Sequence, residues 1–341
     1  MNERMTTQKI VPEDLVLGMT RTHKALGMVC LLRENPAPSL SNVWLLEEAL
    51  RNGAVHITEM GSSGQVPYLQ LVHKGDRPVL ILNGEELVGG KQNRIVNTTV
   101  LVPPAQEIII PVSCMEAGRW HANRSNFEAG QAVFRARSRA NHKERVTQNL
   151  RFQMKFLSDQ HAVWREVDRS LDELGAASET RDFLSARQCL DDRIARYLIN
   201  LRPVNAQVGA VFFGLQGVLG CELLGSFDLF FEAFEKILKS FAFEVALLEG
   251  EVTAHHHNVA EWWHEVLSTP VEWFDSPGDG QDVRLESPLV IGSGLLWNDQ
   301  LMHFSCFPKE PAHTGHGPSS GTHRLSATAR RRTMHRRQED T

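Results

Sequence analysis

The chain has 341 residues, 42% of them apolar and 23% charged, with a formal net charge of −5. That is enough chain for one large or two ordinary domains with a core that needs no disulfide or metal, and the negative balance excludes a generic nucleic-acid binder. Five cysteines, at 30, 114, 189, 221 and 306, are odd in number and never form a CxxC pair, which excludes a disulfide scaffold and a cysteine zinc site.

The polar N-terminus lacks a signal-peptide pattern, and the longest apolar run is too short to span a bilayer, so a cytoplasmic chain without a membrane segment is expected. Residues 1–120 read as strand-rich. The exception is a helix over 44–52, stopped by Gly53. Strands are predicted over 54–60, 66–72, 79–82, 95–102 and 107–112, from short Val-, Ile- and Thr-rich runs between Gly, Pro and Asn turns. Over 144–202, Val146, Leu150, Met154, Leu157, Trp164, Val167, Leu171 and Leu174 recur at helical spacing and predict one long helix ending at Gly175. A second helix carries Phe183, Ala186, Leu190, Ile194, Tyr197 and Leu201 and stops at Pro203.

A hairpin follows, 208–214 and 218–223, with Gly217 supplying a positive φ. Ser226 is placed to cap a third helix over 227–248. Residues 251–307 predict a short helix, a loop and one or two strands, at 289–295 and 301–304. Strands first, then helices, then a hairpin with a helix give an α+β fold and not a doubly wound sheet. The expected organisation is one domain over 1–308, made of a strand-rich part (1–120), a helical part with the hairpin (125–250) and a closing segment (251–308). A basic tail over 309–341, with seven Lys/Arg and three Asp/Glu and almost no large apolar residue, is expected to be disordered. Nucleic acid is an expected partner only through this tail.

The densest polar constellation runs from Asn83 to Arg94, between two strands that read as buried. Its turns need glycine, which Gly84, Gly89 and Gly90 supply. They do not need Glu85, Glu86, Lys91, Gln92, Asn93 and Arg94 within ten residues. Asn93 and Asn97 share a strand face by period two. Lys91 and Arg94 offer cations for phosphate or carboxylate. Glu85 or Glu86 can accept from a sugar diol, hold a magnesium ion or act as a general base. Gln92, Asn93 and Asn97 both donate and accept. Such groups suit a phosphorylated, sugar-bearing ligand; they also suit a turn whose side chains pair with one another. Downstream, Cys114 reads as a buried thiol, while Glu116 and Arg119 leave a strand end as ligand contacts. His257, Glu261 and His264 would share a helix face beside His255 and His256, but nothing upstream supplies a further ligand, so no metal site is assigned. GxGxxG, P-loop and GxSxG motifs are absent.

The run Gly84-Glu85-Glu86 to Gly89-Gly90-Lys91-Gln92-Asn93-Arg94 and Asn97, with Ile110 to Trp120 around Cys114, Glu116 and Arg119, resembles the ARG and rhodanese-phosphatase-superfamily-associated protein domain, where ARG denotes ADP-ribosylglycohydrolase. Softer matches are Gln160 to Trp164, Gln207 to Val211 and His303 to Phe307, so the likeness covers about residues 10–307. The resemblance implies a place in NAD or ADP-ribose metabolism without naming a reaction. Carried over, its functional positions are Glu85, Glu86, Gln92, Asn93, Arg94, Asn97, Cys114, Glu116 and Arg119. The resulting expectation is an α+β protein that binds, and hydrolyses or transfers from, an ADP-ribose-like compound. Glu85, Glu86 and Glu116 act as catalytic carboxylates, and Lys91, Gln92, Asn93, Arg94, Asn97, Cys114 and Arg119 as ligand contacts, with magnesium as the conceivable cofactor. The alternative is a non-catalytic sensing or assembly module whose polar turn is structural.

Overall fold

The computed structural model describes residues 10–35, 40–61, 66–119, 124, 126–253 and 259–309, and the chain through Lys309 forms one compact α+β unit. The basic tail and His255 to His257 lie outside the described residues. Two strands missed in the sequence, β1 (Leu15–His23) and β2 (Leu26–Arg33), open the fold. The predicted helix at 44–52 is a two-residue strand, β3 (Trp44–Leu45), followed by α1 (Leu46–Arg51). Then come β4 (Val55–Glu59), β5 (Tyr68–His73), β6 (Val79–Ile81), β7 (Glu85–Gly89), β8 (Arg94–Val96), β9 (Val100–Val102), β10 (Glu107–Cys114) and β11 (Phe127–Val133).

The helical part holds α2 (Ala136–Gln153), α3 (Gln160–Leu174), α4 (Phe183–Gln188) and α5 (Asp191–Asn200), so each of the two predicted helices is broken. Met154 takes a left-handed conformation at the end of α2, and Asp159 caps α3 by accepting from His161 N and Ala162 N at 3.0 and 3.2 Å. The helix-like spacing of Met154 and Leu157 was accidental: Met154 is exposed, and the carbonyls of Phe156 and Leu157 accept from Asn97 and Asn149. Gly175 ends α3 at φ +59°, as predicted.

The hairpin β12 (Gln207–Gly214) and β13 (Gly217–Leu224) turns at Gly217, φ +134°. Ser226 caps α6 (Phe227–Val245) by accepting from Leu229 N. Last come α7 (Val259–Ser268), β14 (Val271–Asp275), β15 (Gln281–Glu286), β16 (Val290–Trp297) and β17 (Gln300–Pro308).

The strands form an eight-stranded sheet in the order β1-β2-β12-β13-β17-β16-β15-β14, a six-stranded sheet β11-β7-β8-β10-β5-β4, and a small sheet β3-β6-β9. Every pairing is antiparallel except β3 with β6. The predicted strand 95–102 is in fact two, β8 and β9, in different sheets, divided at Asn97 to Thr99 where all three side chains are engaged. Alternation along β12 sends Ala210 and Phe212 into a core with α6, and Val211 and Phe213 into a second core with α7. A third core fills the six-stranded sheet under α1. Among the described residues, no helix is long and apolar enough to cross a membrane.

Candidate functional site

β7 sits between β11 and β8, so its two glutamates are buried and face opposite ways. Glu85 Oε1 receives Lys236 Nζ from α6 at 2.9 Å, and its Oε2 accepts Leu82 N at 3.1 Å. Burial disfavours the Lys236 ammonium, but Glu85 and Glu47 outweigh it and raise its pKa. Glu86 is 0% exposed and ion-paired to Arg187 of α4, with its Oε1 left without a partner. Burial raises its pKa, and the charge of nearby Asp182 adds to this against Arg187.

Asn93 is the hub of a second network. Its backbone N–H donates to Glu116 Oε2 (3.1 Å), its Nδ2 to Asp182 Oδ2 (3.2 Å), and its Oδ1 accepts from Gly89 N (3.1 Å) and Arg119 Nη2 (3.2 Å). Arg119 also grips Glu116 through Nε and Nη2 and donates to Gly90 O. Residues 116–118 run beside 180–182, with Ala117 N and Gly118 N donating to Thr180 O. The two carboxyls on either side of Asn93 differ. Burial pushes Asp182 up to about 6, the Glu116 charge adding to it and the Asn93 amide opposing. Glu116 is also desolvated, yet Arg119, Thr180 and Asn93 N–H hold it below the usual range.

Arg94 is spent on its neighbours. It is fully buried and donates to Gln92 Oε1 (3.2 Å), Cys114 Sγ (2.9 Å) and Glu59 Oε1 (3.4 Å). The phosphate-holding role expected of it is therefore not available without dismantling these bonds. Burial raises the Cys114 thiol to about 11, which keeps it protonated and unreactive at neutral pH. Gln92 Nε2 reaches Ala117 O at 3.4 Å. Lys91 is half-buried at the rim, its N–H donating to Glu59 Oε1.

Asn97 does not share a site with Asn93, contrary to the period-two expectation: the two flank β8 at opposite ends, and Asn97 meets α2 while Asn93 meets Asp182. Its Oδ1 accepts from Ser113 Oγ (2.9 Å) and His142 Nε2 (3.1 Å), and its Nδ2 donates to Phe156 O. Next to it, Lys143 donates from α2 to Asn83 Oδ1, Ser293 Oγ and Ser305 Oγ. Glu222, Ser305, Ser293 and Arg284 stand in register across β13, β17, β16 and β15, a buried polar row facing α2. Arg139 pairs with Glu222, which also meets His303 Nε2 at 2.7 Å; Arg284 is held by Asp282 and Thr98.

Besides the set of Arg94 and Gln92 with Cys114 and Glu59, the polar segment thus feeds three networks: Glu85 with Lys236; Glu86, Asn93, Glu116 and Arg119 with Asp182 and Arg187; and Asn97 with the α2 row. Asp182, Arg187, His142 and Lys143 were missed by sequence reasoning. Asp182 immediately precedes an apolar stripe, the one signal that marked it, and that signal reads first as a helix cap. No three His, Cys, Asp or Glu among the described residues are grouped to hold a metal ion. Glu85 and Glu86 are each engaged by a cation and face opposite ways across β7.

The model of the ARG and Rhodanese-Phosphatase-superfamily-associated Protein domain matches residues 14–307. The chain belongs to this family. No curated protein and no solved structure matches it. The family match spans all three networks, from β7 through the last buried strand, β17.

Proposed function

We propose that this family member is a carboxylate-dependent hydrolase or transferase acting on a ribose-bearing, nucleotide-type compound of the ADP-ribose or NAD-derived kind. The ligand class rests on the family's name and resemblance; the chemistry rests on one observation. Asn93 joins a carboxyl raised to about 6 to one held ionised by Arg119. Two carboxyls pushed apart in this way divide the labour of acid and charge stabiliser. Protonated Asp182 donates to the leaving group, then takes a proton from the incoming water or acceptor. Ionised Glu116 stabilises positive charge developing on the sugar carbon. Burial, with the Glu116 charge adding to it, keeps the proton affinity of Asp182 high. Asp182 is half-buried beside the half-buried or exposed Ala117, Gly118 and Thr180, which leaves it approachable.

The test is incubation of the purified protein with NAD and with ADP-ribose, products being separated chromatographically. Wild type should release a ribose or nicotinamide product, and Asp182→Asn should slow release by about a hundredfold or more. An unaltered rate in the variant, or no turnover of any ribose nucleotide by wild type, defeats the reading.

A second reading is a non-catalytic module in which the same network is structural. It is favoured by the saturation of Arg119, whose bonds to Glu116, Asn93 and Gly90 sew one loop shut. It predicts no turnover, and loss of folding in Arg119→Ala without any ligand-binding phenotype.

A further inference from the structure

On the far side of β7 from Glu86 a solvent-reachable cleft of about 850 Å³ opens between α1 and α6, with Glu85 in its wall. That is the size of a small-molecule site. Its ionic accounting is uneven. Arg51 pairs with Glu47 (3.0 Å), Arg202 with Glu235 (3.2 Å), and Lys236 with both Glu85 (2.9 Å) and Glu47 (3.1 Å). Lys239 donates to Gln131 O (3.1 Å). All four cations of the lining are therefore engaged. Two lining carboxylates, Glu48 on α1 and Glu232 on α6, have no cation among the described residues. Burial raises the Glu232 pKa, and the charges of Glu48 and then Asp228 raise it further.

Beside them lies an independent feature. Phe231 lines the same cleft with 57% of its surface exposed, its ring 5.7 Å from that of Phe227. An aromatic face next to unpaired carboxylates is the chemistry that receives an ammonium group, through cation–π attraction and charge-assisted hydrogen bonds.

We infer that the cleft between α1 and α6 is a second binding site, separate from the Asn93 hub, and that it takes an organic amine. The ammonium lies between Glu48 and Glu232, with its hydrocarbon body against Phe231. A phosphate-bearing ligand would have to displace carboxylates from Arg51, Arg202 or Lys236, would find, among the described residues, only Lys239 without a carboxylate, and would meet the charges of Glu48 and Glu232. A bare metal ion would find carboxylates that are not grouped for coordination.

The experiment titrates the full chain with spermidine, chosen as a probe with several ammonium groups on an aliphatic body. Binding is followed by calorimetry and by the thermal midpoint at matched ionic strength. Saturable binding that raises the midpoint is expected, because a ligand of the folded form stabilises it by mass action. Glu48→Gln/Glu232→Gln should weaken binding by at least about tenfold, and Phe231→Ala by about fivefold. Glu232 and Phe231 are exposed and Glu48 is half-buried in the cleft wall, so both variants should fold. Asp182→Asn should bind spermidine as wild type does, which separates this site from the proposed catalytic one. The inference is overturned by an unsaturable response, by unchanged affinity in the double variant, or by magnesium chloride reproducing the effect.

Discussion

Glu85 and Glu86 are consecutive in the chain, yet they answer to cations on two different helices: Glu85 to Lys236 of α6, and Glu86 to Arg187 of α4. Strand alternation alone produces this division. It makes β7 the shared wall of a solvent-reachable cleft on one side and a buried carboxylate network on the other. A motif that looks like a single acidic pair therefore serves two environments.

The Glu85–Lys236 bridge yields the first prediction. Lys236→Met leaves Glu85 buried beside no cation and should lower unfolding free energy by about 3 kcal/mol. Glu85→Gln/Lys236→Met removes both charges, and the glutamine can still accept Leu82 N, so most of the loss should return. Urea denaturation of the two variants reports the difference; equal losses in both would show that the charge pair itself carries little.

Burial raises the pKa of Asp182 in the fold to about 6, above the ordinary aspartate value of 3.8. Between these values the folded state binds more protons than the unfolded one, so its contribution to stability falls as pH rises from about 4 to about 6. Asp182→Asn keeps an acceptor for Asn93 Nδ2 and removes the titration. The variant should match or exceed the wild-type melting temperature at pH 7.5 while flattening the slope over that window. A melting temperature several degrees lower at pH 7.5 would mean that the ionised carboxylate is itself a structural necessity.

The elements that obeyed local rules were visible in the sequence. Ser226 caps α6, Gly175 ends α3 and Gly217 turns the hairpin, because each is a local matter of φ or a single N–H. What escaped was set by tertiary burial. The buried face of the first part of α2 is mostly polar, with Ser138, Arg139, His142 and Lys143 after Ala136, so apolar periodicity marks the helix only from residue 144. In β15, Asp282 and Arg284 occupy buried positions and read as loop residues, because their partner Thr98 comes from far away in the sequence; Ser305, beyond the predicted strand 301–304, meets Lys143 of α2. The polar turn was recognised as unusual in composition. Its division into three networks was not legible, since it depends on Arg187, Asp182, Lys236 and His142 arriving from about 50 to 150 residues away in sequence.

His142 gives a pH test of opposite sign. Burial, with Lys143 and other cations adding to it, lowers its pKa to about 3. Between about 3 and 6.5 the unfolded chain takes up the proton and the folded one does not. The stability His142 contributes is full above 6.5 and is lost as pH falls toward 3. His142→Gln can still donate to Asn97 Oδ1 but does not titrate. Its unfolding free energy should therefore drop less than wild type between pH 7 and pH 4.5. Parallel curves for the two proteins would place the acid sensitivity elsewhere.

Gln160, at the start of α3, substitutes for a neighbouring strand. Its Oε1 accepts from Cys114 N and its Nε2 donates to Cys114 O, both at 2.7 Å, where β10 ends. The residues on either side of Cys114 are committed as well: Ser113 to Asn97, and Met115 N to Asn93 O. Gln160 thus fixes the strand end from which Glu116 and Arg119 depart toward Asn93. Gln160→Ala leaves a buried N–H and C=O unmatched and should cost about 2 kcal/mol or more. Gln160→Glu keeps the acceptor but loses the donor, and sets a carboxylate against the Cys114 carbonyl, so it should be at least as damaging at neutral pH. Amide hydrogen exchange at Cys114 and Asn93 should accelerate together in both variants. Acceleration at Cys114 alone would show that the Asn93 hub holds its geometry without α3.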